Sequence, residues 1–242
     1  MEALSARQTQ LLKALIDEYL ETAEPVGSLA LEKKYNMGVS PATIRNEMVM
    51  LTKNGYLKQP HTSAGRTPTP SAMKFYISQL MEEKQMSVAE EVRAKENVWD
   101  SRRDLDELME SATRALSQKT QSLSVAAMDD GSTWVYGHSK VFGCPELSDA
   151  HVCASLFSVL EQEKTLADLF FGRLTGTSPI EVLFGSELGW DYFDPVGIVA
   201  SRFRAGGHEG AIGVVGSYGL NYPSVIPTVR YFGSLISQLS EE

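Results

Sequence analysis

Between residues 1 and 81 the chain is punctuated so closely by helix starts and stops that few folds can accommodate it. Ser5, with Gln8 three residues on, has the pattern of a capping box, and Leu12, Leu15, Ile16 and Tyr19 follow at helical spacing. That helix must stop near Glu24, because Pro25 disfavours helical geometry in the residue before it. Ser28 can cap a short second helix carrying Leu29, Leu31 and Tyr35, with Gly38 as its stop. Ser40-Pro41 opens a third, a cap residue followed by proline where no amide hydrogen is missed. Its apolar positions Ile44, Met48 and Leu51 share one face, and Gly55 ends it. Tyr56-Leu57-Lys58 reads as a short strand and Gln59 to Thr67, with Pro60, Ser63 and Gly65, as a hairpin wing. Thr69-Pro70 then begins a fourth helix with Met73, Tyr76, Ile77 and Leu80 turned inward. Helix, short helix, helix, hairpin and closing helix is the order of a winged helix-turn-helix.

A net charge of -9 argues at first against a nucleic-acid partner, but the charge is unevenly placed. From Lys33 to Lys74 there are seven bases against the single acid Glu47, a net +6 that leaves -15 for the rest of the chain. A compact basic zone on an acidic protein fits one surface turned toward DNA. The third helix would present its N-terminus to the major groove, with Arg45 suited to guanine, Asn46 to adenine or phosphate, and Thr43 or Ala42 to a thymine methyl. Hydroxyls and amides of the wing suit phosphates, and Arg66 on a narrow protrusion suits a minor groove. The candidate contact set is therefore Ser40, Ala42, Thr43, Arg45, Asn46, Lys53, Lys58, His61, Thr62, Ser63, Gly65 and Arg66.

Beyond this domain, 82–97 is charged, helical in character and expected to link two domains, 1–81 and 98–242. Val98, Leu105, Leu108, Ala112 and Ala115 form an apolar stripe available to the chain's own domain or to a second subunit, and are expected to be the dimer contact, with the sheet as second choice. From 123 onward the texture is that of strands bounded by turn residues, at 123–128, 133–137, 179–185, 196–203 and 210–216, with helices around 148–172 and 223–240. The second domain is expected to be α+β with a mainly antiparallel sheet.

Cys144, Asp149, His151 and Cys153 lie close together, with His138 nearby, and raise the question of an enzyme or a metal site. His151 and Cys153 sit two apart, awkward for one helical face, and no second Cys/His cluster completes a ligand set. Structural cysteines, no metal, no cofactor and no catalysis are expected. Only two cysteines, no signal peptide and no apolar run of about 20 residues fit a cytoplasmic protein that does not cross a membrane.

The segments EPVGS (24–28), VSPATIRNEM (39–48), GYLKQPHTSAGRTPT (55–69) and KFYISQL (74–80) resemble the HrcA family of heat-inducible transcription repressors. Looser matches follow at Pro145-Glu146, EVLFGSE (181–187) and GAIGVVG (210–216), then Tyr222. The resemblance implies a homodimer on an inverted-repeat operator upstream of chaperone genes, a GAF-like second domain, and activity that depends on the chaperonin GroEL. It carries over to Thr43, Arg45 and Asn46 in the third helix and to His61, Thr62, Ser63, Gly65 and Arg66 in the wing. The chain departs from the family in lacking a sizeable inserted dimerisation domain. The excision point falls between Val125 and Val141, where only an Asp129-Asp130-Gly131 turn remains. A rival reading makes the GAF-like domain a small-molecule sensor that gates the same winged helix. An apolar cavity with convergent polar groups would favour the sensor, a filled core the repressor.

Overall fold

The computed structural model describes residues 4–35, 38–169 and 178–241, which divide into two compact units, Met1–Glu82 and Glu83–Glu242. In the first, helix α1 (Ala6–Thr22) is opened by both bonds of the Ser5–Gln8 capping box and closed by Ala23 in a left-handed conformation at φ 55°. Helix α2 spans Ser28–Tyr35 and α3 Pro41–Lys53. Leu12, Leu15, Leu31, Ile44 and Leu51 meet in the core of the three helices, each at most 1% exposed. Strands β1 (Leu57–Lys58) and β2 (Thr67–Pro68) form the antiparallel base of the wing.

Helix α4 spans only Pro70–Phe75, and the turn after it, Tyr76–Leu80, widens into π geometry. Met73 and Tyr76 are buried as expected, whereas Ile77 and Leu80 are half-buried. Tyr76 fixes this turn by donating its hydroxyl to Asp17 Oδ1 at 2.6 Å. Burial, and then that carboxylate, push its phenol well above the ordinary tyrosine range.

In the second unit a five-stranded sheet runs in the order β4-β3-β7-β6-β5, with every ladder antiparallel. Its strands are β3 (Leu123–Met128), β4 (Thr133–Tyr136), β5 (Ile180–Phe184), β6 (Val196–Ala205) and β7 (His208–Ser217). Each lies within one residue of its expected place except β6 and β7, which each run two residues further to meet in a tight Gly206-Gly207 turn. One face carries Val125, Ile198 and Val215 against α7 (Ala150–Leu160), α8 (Glu163–Ala167) and Phe193, and the short α9 (Gly185–Leu188) follows β5. The other carries α6 (Leu105–Thr120) and α10 (Tyr222–Ser240). This is the α+β, GAF-like arrangement anticipated for the second domain.

Helix α5 (Val88–Trp99) lies along α6, with Ala94 and Val98 buried, so the stretch expected to be a linker belongs to this unit. Glu83 just before it accepts two bonds of 2.7 Å from the Arg230 guanidinium on α10. Those bonds hold the Glu83 carboxyl below its ordinary range. A depressed carboxylate stabilises the fold above its unfolded pKa, and that stabilisation is lost as pH falls through the folded value. With both side chains partly exposed the contribution is about 1 kcal/mol or less. Glu83→Gln should therefore lower the calorimetric midpoint at neutral pH and converge with the parent below about pH 4. A deficit that persists unchanged at pH 3 would argue for lost packing instead.

The stripe expected to be the dimer contact is used internally. Val98, Leu108, Ala112 and Ala115 are 1%, 1%, 0% and 6% exposed, and Leu105 is half-buried. The periodicity identified an apolar face correctly; the unit's own sheet and α10 cover it.

At the β3–β4 tip, Met128 donates to Ser132 O at 2.9 Å and closes the turn. Asp129 binds the neighbouring hairpin through three contacts. Its carboxylate accepts from Glu209 N at 3.1 Å and meets His208 Nδ1 at 2.8 Å, and its own amide donates to Glu209 O at 2.9 Å.

Candidate nucleic-acid interface

Helix α3 is positioned by its cap and its buried side. The Ser40 hydroxyl accepts from Thr43 N at 3.3 Å and lies 3.1 Å from Thr43 Oγ1, so Thr43 is occupied locally and half-exposed. Ile44, Met48 and Leu51 face the core. At about 100° per residue, Asn46 and Lys53 then point almost directly away from it, with Ala42 and Val49 to one side. Arg45 stands about a quarter-turn round, on the flank nearest the wing. The exposure pattern agrees: Ala42, Arg45, Asn46, Val49, Met50 and Lys53 are all exposed.

Glu47, the one acid of the basic window, is turned toward α1, where Gln8 Nε2 donates to it at 3.1 Å and Arg7 lies 3.8 Å away. Lys34, by contrast, is spent on Glu18 and Glu21, which raise its pKa further. The outward surface of α3 thus stays free of acid while part of the basic window is neutralised locally.

The wing holds its shape through backbone acceptors. Gln59 Nε2 donates to Thr62 O at 2.9 Å and Ala64 O at 3.0 Å, and Ala64 N closes a turn on His61 O. His61, Thr62 and Ser63 are exposed at the tip, and Lys58 is exposed on β1. At the base, Val26 and Arg66 exchange two backbone bonds of 2.9 Å. A Cβ at Gly65 would fall 2.4 Å from Val26 O and 2.7 Å from Pro25 O, so only glycine lets the wing close on this segment. Arg66 Nε donates to Thr52 Oγ1 at 3.1 Å, and Thr52 in turn donates to Met48 O. Arg66 is accordingly braced against α3 at the root of the wing, while the tip carries hydroxyls and His61.

Between α3, the start of α2 and the wing lies a cleft of about 470 Å³. It brings together Arg45, Thr62, Ser63, Gly65 and Arg66 from the expected set, and adds Gly27, Ser28, Met48, Val49, Gln59 and Ala64. Asn46 and Lys53 stand on the outward face of α3 and do not line it. A helical wheel centred on Ile44 and Met48 signals the separation of Arg45 from Asn46, and the exposure of Val49. Nothing local signals that Ser28 meets the wing.

Comparison with known proteins places this architecture. A family model described as the HrcA protein C terminal domain matches residues 43–226. The chain belongs to the HrcA family. The HrcA protein of Desulforamulus reducens, named a heat-inducible transcription repressor, is 40% identical over 135 residues, covering 56% of this chain and 39% of that relative. Its namesake in Symbiobacterium thermophilum is 45% identical over 119 residues, 49% of this chain and 35% of its own length. The chain thus spans under two-fifths of the length of these curated HrcA relatives. The HrcA repressor of Desulforudis audaxviator aligns at 25% identity over 339 positions, 99% of this chain and 98% of the relative. A crystal structure at 2.2 Å, described as that of a hypothetical protein, superposes with a TM-score of 0.72 at 18% identity, covering 99% of this chain and 98% of the other. That likeness establishes a shared fold through both units.

The cysteines and their neighbours are dispersed into separate local tasks. Cys153 is buried with its thiol donating to Leu147 O, and Asp149 caps α7 by accepting from the amides of His151 and Val152. His151 stacks on Tyr192 at 5.0 Å, and burial raises the thiol pKa of half-buried Cys144. No helix among the described residues is long and apolar enough to cross a membrane.

Proposed function

We propose that the chain is a sequence-specific DNA-binding repressor of heat-shock genes that occupies an inverted-repeat operator as a homodimer. The observation that carries this reading is the acid-free outward face of α3, Ala42, Asn46, Val49 and Lys53, set beside a braced hydroxyl-tipped wing. A helix in the major groove reads bases through such a face, while a wing alongside holds the backbone. The repressor names of the HrcA relatives favour this over a ligand-gated switch. Dependence on the chaperonin GroEL belongs to the same proposal and rests on the family resemblance.

In this geometry Asn46 reads and Lys53 positions. Duplexes enriched from a random pool supply the probe, with a scrambled duplex as control. Asn46→Ala should cost about 1–3 kcal/mol on the enriched duplex and relax one base pair per half-site. Lys53→Ala should weaken both duplexes alike and lower the salt slope by about one per contact. Equal losses for Asn46→Ala on both duplexes would place the reading surface elsewhere, and a pool that enriches nothing would end the DNA-binding proposal itself.

A further inference from the structure

We infer that the cleft between α2, α3 and the wing is the seat of one DNA backbone phosphate, gripped by the Ser28 hydroxyl and the first amides of α2 with Arg45 as counter-charge. The inference rests on the DNA-binding reading and names a contact that reading does not contain.

Three independent features converge on an anion. Ser28 is 8% exposed and lines the cleft, yet its hydroxyl has no hydrogen-bond partner among the described residues. The residue is otherwise enclosed, so its hydroxyl is held at the cleft wall with its hydrogen-bonding capacity left for a ligand. Second, the first backbone bond of α2 runs from Leu31 N to Gly27 O, which leaves the amides of Ser28, Leu29 and Ala30 without a helical acceptor. No acid occupies the first turn of α2 to neutralise that end of its dipole. Third, Arg45 stands in the cleft wall, and among the described residues no acid or carbonyl is paired to it and no carboxylate lines the cleft. Opposite lie the Ser63 loop and Arg66, the latter held in place by Thr52.

The position suits a phosphodiester better than a free ion. A helix seated in one groove and a wing beside the next must straddle the strand that separates them, and the cleft opens between those two elements. Arg45 in this wall neutralises backbone charge, in contrast to the guanine contact expected from its type and position in sequence.

The test uses the full chain and the enriched duplex, with single linkages replaced one at a time by neutral methylphosphonate. The parent should lose about tenfold at one linkage per half-site and little at its neighbours. Ser28→Ala should bind the unmodified duplex about tenfold more weakly and respond less than the parent to that linkage, since the α2 amides and Arg45 remain. Ser28→Thr, which keeps the hydroxyl, should restore the sensitivity, and Arg45→Gln should lower the salt slope by about one per half-site on enriched and scrambled duplexes alike. If Ser28→Ala keeps the parent's response at every linkage, the phosphate seat is wrong even though the chain binds DNA. A flat methylphosphonate scan, with millimolar inorganic phosphate stabilising the parent but not Ser28→Ala against heat, would assign the cleft to a free anion and overturn the inference. Absence of any duplex binding by the parent would instead remove the DNA-binding proposal on which it stands.

Discussion

Gly65→Ala should unfasten the wing. The added methyl would sit 2.4 Å from the Val26 carbonyl oxygen, and backbone cannot rotate aside as a side-chain tip can. Relief requires breaking at least one of the two 2.9 Å bonds that tie Val26 to Arg66. Gly65 is not among the positive-φ glycines, so the penalty is one of space and not of backbone conformation. Overpacking together with a lost backbone bond costs about 2–3 kcal/mol, which corresponds to roughly 10 °C or more in the melting of a domain this small. Affinity for the enriched duplex should fall with it, because the tip hydroxyls lose their fixed distance from α3. A variant that melts with the parent and keeps its salt slope would show that the wing does not depend on this closure.

The second large effect concerns α6. Leu108→Ala should cost the second unit about 2–5 kcal/mol, the ordinary range for emptying a fully buried leucine site. The loss should be the same at low and high protein concentration, since Leu108 is covered from within its own unit. Were this stripe a subunit contact, the deficit would shrink on dilution, because association contributes to stability by mass action and the dissociating parent loses that contribution too. Thermal unfolding at two concentrations a hundredfold apart separates the two, and a concentration-dependent deficit would return the stripe to the dimer interface.

What could be read from the residues alone follows the range of the interactions involved. Ser5, Ser40 and Thr69 announce helix starts because each cap bond reaches only three residues along the chain. The antiparallel strands were likewise legible from alternating texture and turn residues, and their residue ranges moved little. The widening of the chain at Tyr76 was not legible, since it is fixed by Asp17, 59 residues away. The α6 stripe was visible as an apolar face, but periodicity carries no label for what will cover it. At the DNA-facing surface, residue type pointed to Arg45, whereas the helical phase set by Ile44, Met48 and Leu51 turns Asn46 outward and Arg45 toward the wing. Ser28 looked like an ordinary cap because its relation to Gly65 exists only once the wing has folded back on Val26.

The Asp129 clamp at the β3–β4 tip has a consequence for how such a chain can change length. The strand ends there are fastened by the Met128–Ser132 bond and by Asp129 on the adjoining His208–Glu209 hairpin, and neither fastening uses Asp130 or Gly131. Extra chain spliced into the tip would be charged only for closing a longer loop, about 0.6 kcal/mol for each doubling. The Desulforudis audaxviator relative, aligned over 339 positions against 242 residues here, requires added chain to be accommodated somewhere. A hairpin that holds its own gateposts can gain or shed a whole module while the sheet behind it keeps its register.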